Sequence, residues 1–94
     1  MPSHRCHEEI GALMGINISA LRDANLFIDD PDRWFSERGL RNLYGLKHDD
    51  DRVLAMNIVR SILRDIYGDE GVLAADLHYA VDYIERWLDP ELSR

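Results

Sequence analysis

Asp50–Tyr67, DDRVLAMNIVRSILRDIY, is the stretch whose reading decides the fold. At about 100° per residue, Ala55, Met56, Ile58, Val59, Ile62, Leu63, Ile66 and Tyr67 cover roughly half the circumference of a helix. Asn57, Arg60, Ser61 and Arg64 hold the other side. A helix that packs on a single neighbour needs an apolar stripe of only about 100°. This segment is therefore expected to be the central helix of a small bundle, with at least two partners.

Downstream, Gly68 stops that helix and Asp69 caps the next, which runs over about 70–88. Leu73, Leu77, Ala80, Val81, Ile84 and Leu88 form its expected core stripe, with Asp89 and Pro90 ending it. Tyr79, Tyr83 and Trp87, spaced four apart, form a second ridge. His78, Asp82, Glu85 and Asp89 lie opposite and read as a solvated acidic face.

Upstream, His48 is followed by Asp49, Asp50 and Asp51, one of which is expected to cap the central helix. Gly45 ends a turn or short helix over 40–46, and Gly39 closes a short helix over about 31–38 that Asp30 caps and Pro31 opens. Residues 5–28 read as one continuous helix. Cys6, Ile10, Leu13, Met14, Ala20, Leu21, Ala24, Phe27 and Ile28 share one arc whose phase survives Gly11 and Gly15. Asn17 falls inside that arc, either as a buried amide fixing register or at a solvated end. The pattern predicts a single all-α domain over 1–94: three main helices (about 5–28, 50–67 and 70–88) plus the short one over 31–38.

Composition narrows the function classes. The chain has 94 residues, 46% apolar and 31% charged, which suits one small soluble core. No apolar run approaches the roughly 18–20 residues needed to span a bilayer, and the first residues lack the apolar centre of a signal peptide, so a cytoplasmic protein is expected. Cys6 is the one cysteine, which excludes an intramolecular disulfide. Eighteen acids against 11 bases give a net charge of −7, a field that repels nucleic acid and anionic membrane and favours basic partners.

Each motif with chemical promise is incomplete. His4, Cys6, His7, Glu8 and Glu9 offer metal donors, yet adjacent helical positions diverge, leaving pairs such as His4 and Glu8. If Met1 is removed, the free amine with His4 in third place suits Cu(II) or Ni(II). His78, Asp82 and Glu85 share a face, but the chain has no Glu-x-x-His of the di-iron type. No nucleophile, base and oxyanion donors can be assembled. The expectation is no enzyme, no catalytic residue, no cofactor and no metal site.

Residues 9–24, EIGALMGINISALRDA, fit helix-turn-helix spacing with the turn at Gly15, Ile16 and Asn17. Arg22 is the only base on the would-be reading helix, which argues against phosphate binding. The leading expectation is a protein-binding module, a homodimer or a small subunit, using Tyr79, Tyr83 and Trp87 together with Ile10, Met14, Asn17 and Leu21. A DNA-binding regulator, a nucleic-acid mimic built on the clustered aspartates and a metal-binding tail are its rivals.

Overall fold

The computed structural model describes residues 4–88, with the side chains of residues 7–85 and of Trp87. Among the described residues five helices follow one another: α1 His4–Leu13, α2 Ile18–Asp29, α3 Pro31–Glu37, α4 Val53–Tyr67 and α5 Asp69–Leu88. The fold is all-α, and no strand occurs among the described residues.

The stretch expected as one helix over 5–28 is two. α1 ends at Leu13, Gly15 takes a positive φ of 79°, and the amide of Ile16 reaches back to the carbonyl of Gly11 (3.0 Å). Asn17 then starts α2, its Oδ1 accepting from the amide of Ser19 (2.7 Å). The apolar phase persists because Ile16 turns into the core from the connection itself. Left-handed Gly15 and the capping preference of Asn17 win over periodicity. α1 folds back along α2, and Gly11 makes the close approach possible: a Cβ there would collide with both methyls of Leu21.

The central element is α2, not the 50–67 segment. α2 contacts each of the other four helices, whereas α4 packs on α5 and α2. Ala20, Leu21, Ala24, Asn25, Phe27, Ile28 and Asp29 of α2 are buried; on α4 only Ala55, Val59 and Leu63 are. The wide apolar face of α4 does meet two partners, α5 and α2, and all of its residues except Ile66 are buried or half-buried; Val53 and Leu54, outside that face, are exposed. Small Ala20 and Ala24 let neighbouring helices reach α2 closely on several sides.

At one end of the core, Phe27 stacks on Trp34 (centroids 3.9 Å, 10° between planes), and Phe35 meets both edge-on. Asp30 caps α3 through the amide of Arg33, with Pro31 in the first turn. Residues 40–46 form turns rather than a helix. Asn42 holds that loop, donating to the carbonyl of Leu46 (2.7 Å) and accepting from its amide (3.0 Å) as Leu46 enters the core.

No aspartate caps α4. Arg52 stands at the cap position without a side-chain bond, and Asp50 instead accepts from the amides of Lys47 and Arg52 and pairs with the Arg52 guanidinium (2.6 Å). Gly68, at φ 68°, turns the chain into α5, where a Cβ on Gly71 would strike the Leu63 carbonyl. This antiparallel hairpin rotates α5 away from its expected stripe. The face turned inward is Gly71, Ala74, Ala75 and His78, while Leu73 and Ile84 are about half exposed. Asp89 and Pro90 lie outside the described residues.

Candidate functional site

The inward face of α5 sets its polar centre. The side chain of His78, 1% exposed, points at α2, whose buried face carries Asn25 and Asp29 one helical turn apart. His78 Nδ1 lies 2.8 Å from Asn25 Oδ1, an atom that can only accept, so Nδ1 carries the proton and Nε2 faces away. There Nε2 meets Asp29 Oδ1 at 3.3 Å and Asp82 Oδ2 at 3.2 Å. Because α1 folds back, His7 joins them. It is 2% exposed, stacked on the His78 ring (4.3 Å, 18°), with Nε2 3.4 Å from Asp82 Oδ1. None of these close approaches at the two Nε2 atoms has hydrogen-bond geometry, and neither ring nitrogen of His7 makes a hydrogen bond.

The loop before α4 closes one side. His48 Nδ1 meets the carbonyl of Asp29, and His48 Nε2 lies 3.2 Å from Asp49. Burial, with the Asp29 carboxyl against it, raises Asp49 to about 6. Burial alone would lower His78, but the carboxylates of Asp29 and Asp82 beside Nε2 outweigh it and raise the ring to about 9. Burial likewise works to raise Asp82, yet the two imidazoles hold it below the ordinary carboxylate range. Asp29, Asp49 and Asp82 thus gather around one strongly basic imidazole, an arrangement that favours added positive charge.

A cleft of about 390 Å³ opens above this cluster, between the start of α4, the middle of α5 and the 49–51 loop. Asp49, Asp51 and Asp82 provide its charge, and Met56, Tyr79 and Tyr83 its apolar walls. Among the described residues lining it there is no lysine or arginine. The Tyr79 hydroxyl is buried without a hydrogen-bond partner, and burial together with nearby Asp50 keeps its proton on well beyond the usual tyrosine range. Tyr83 is 62% exposed at the rim, and Trp87, 72% exposed, lies one turn further with its ring 6.5 Å from that of Tyr83.

The candidate partner-binding residues therefore separate. Tyr79, Tyr83 and Trp87 run along the cleft and its rim. Met14 is exposed in the turn after α1, Ile10 is half-buried, and Asn17 is occupied as a cap. Leu21 is fully buried against α1, so it serves the core and offers no surface to a partner. The face of His78 and Asp82, expected to be solvated, is the inner one: His78 is buried and Asp82 half-buried. The side chains of His4 and Cys6, proposed donors of the amino-terminal cluster, lie outside the described residues. Small Gly71, Ala74 and Ala75 in register with His78 were the available signal, since a helix approaches closely along its small residues.

No family model, curated protein or solved structure matches this chain. No helix of the described residues is long and apolar enough to cross a membrane.

Proposed function

We propose that this chain is a small acidic interaction module, a regulator or accessory subunit, that recognises a basic segment of a protein partner. A lysine or arginine side chain enters the cleft beside Asp49, Asp51 and Asp82 while its neighbours lie on Tyr83 and Trp87. The observation that carries this reading is the composition of the cleft: three carboxylates and two tyrosines, with no base among the described lining residues. Aromatic walls favour cations as well as apolar contact, and a net charge of −7 steers a basic partner from a distance. The volume lies at the small end of the range for ligand clefts, which suits one inserted side chain rather than a whole domain.

Two observations weigh against the helix-turn-helix reading. The second helix is the buried hub of the fold, and Arg22, its candidate phosphate contact, pairs with Glu8 (3.2 Å). For nucleic-acid mimicry, the aspartates have other work: Asp30 caps α3 and Asp50 braces the loop before α4. A cytoplasmic setting fits the reading. A homodimer remains part of it, with the exposed Val53, Leu54 and Ile84 side chains as the area to be covered.

Titration of the full chain with a short arginine-rich peptide, followed by tryptophan fluorescence and amide shifts, tests it. Saturable, salt-sensitive binding is expected, absent for a glutamate-rich peptide of equal length and lost with Tyr83→Ala. Binding that is absent at low salt, or unchanged by Tyr83→Ala, contradicts it.

A further inference from the structure

The buried cluster below the cleft has the ingredients of a metal centre that sequence spacing does not reveal, because its donors come from α1, α2 and α5. His7, His78 and Asp82 offer one donor atom each within 4.8 Å of one another, and Asp29, Asp49 and His78 form a second such group around the same histidine. The spacing of these atoms carries the argument. In a tetrahedral site with bonds of about 2.0–2.1 Å, neighbouring donors stand about 3.3–3.4 Å apart. The observed separations are 3.2 Å (His78 Nε2 to Asp82 Oδ2), 3.3 Å (His78 Nε2 to Asp29 Oδ1) and 3.4 Å (His7 Nε2 to Asp82 Oδ1), so each histidine faces its own oxygen of Asp82. These atoms face one another at donor spacing without the alignment of hydrogen bonds.

Two further features point to a ligand. His7 is nearly inaccessible; its Nε2 faces Asp82 at 3.4 Å without hydrogen-bond alignment, and its Nδ1 makes no hydrogen bond among the described residues, an arrangement that a bound ion would improve. His78 is oriented as a metal-binding histidine is, with Nδ1–H held by Asn25 and Nε2 turned to the carboxylates. The cleft supplies the route in, since Asp49 and Asp82 belong to both its wall and the cluster.

We propose that His7, His78 and Asp82, with Asp29 alongside, bind a divalent transition-metal ion of the zinc type. The ion takes the place of any proton on His78 Nε2, and that proton goes to solvent. Imidazole nitrogen with carboxylate oxygen suits Zn(II) and Co(II), whereas a softer ion would call for sulfur. The site is separate from the amino-terminal His4 motif, which would favour square-planar Cu(II) or Ni(II).

Co(II) and Zn(II) added to chelator-treated full-length protein test the proposal, read by the visible absorption of Co(II) and by thermal stability. One equivalent is expected to bind, with the absorption intensity of a tetrahedral site and a raised Tm. His7→Leu keeps the fold, checked by circular dichroism, and weakens binding by about 100-fold or more. Asn25→Ala, which acts only through His78, weakens it by about 10–100-fold. His4→Ala and Tyr83→Ala leave it unchanged, so loss of peptide binding and loss of metal binding are told apart. Failure of the folded protein to bind either ion, or binding that survives His7→Leu and disappears with His4→Ala, overturns the proposal.

Discussion

Two faces of the carboxy-terminal half of α2 bury opposite kinds of surface. Towards α3 the helix presents Phe27 to Trp34 and Phe35, and the polar atoms on that side are matched. The Trp34 indole N–H donates to Asp23 (2.6 Å), which also takes a bond from Arg38 (2.6 Å) and from the Tyr67 hydroxyl (3.0 Å). Arg38 closes the end over the Trp34 ring at 3.8 Å. Towards α1 and α5 the same helix presents Asn25 and Asp29 to His78, and the cluster leaves both ring nitrogens of His7 without hydrogen bonds. The first face is arranged as a protein core ordinarily is. The second gathers ionisable groups at close range with few aligned hydrogen bonds, and in the proposal above that difference separates scaffold from site.

The largest expected effect breaks the scaffold face. Phe27→Ala removes the ring that both Trp34 and Phe35 pack against and should cost about 3–5 kcal/mol in urea-induced unfolding. A loss below about 1 kcal/mol would mean that the aromatic end does not hold the fold. A smaller effect is expected at the turn that joins α1 to α2. Asn17→Ala removes the cap of α2 and should cost about 1 kcal/mol, with fraying that hydrogen exchange would place at Ser19 and Ala20. The smallest effect sharpens the contrast most. His7→Leu replaces a buried imidazole that makes no aligned hydrogen bond by an apolar group of similar size, while Asp82 keeps His78 as a partner, so the stability of the metal-free protein should change by no more than about 1 kcal/mol in either direction. A loss above about 2 kcal/mol would make His7 an ordinary core residue.

The same contrast explains what the sequence discloses. The scaffold follows local rules: Asp30 and Pro31 start α3, Gly68 ends α4, and Trp34 and Phe35 close an end of the core. The site follows none of them. A continuous helix over 5–28 would hold residue 7 about 30 Å or more from Asp29. The break at 14–17 instead folds α1 back, so that both residues meet at His78. That break competes with an unbroken apolar phase, and only Gly15 and Asn17 announce it. On α5, periodicity places Leu73 and Ile84 inside because they are apolar, while close packing at Gly71 turns His78 inward. The cleft was half legible: Tyr79 and Tyr83 stand out as a ridge, but the 49–51 loop that faces them is fixed by tertiary contacts of Asp29, His48 and Asp49.

The most direct test of the claim that the polar face of α2 is a site is a crystal structure of the protein grown with Zn(II), with anomalous differences measured on both sides of the zinc edge. The account predicts one strong peak bonded to His78 Nε2, His7 Nε2 and Asp82 at about 2.0–2.2 Å, with Asn25 still holding Nδ1. The absence of a peak there, with His78 Nε2 hydrogen-bonded to Asp29 and Asp82 and His7 satisfied by other groups, would contradict it.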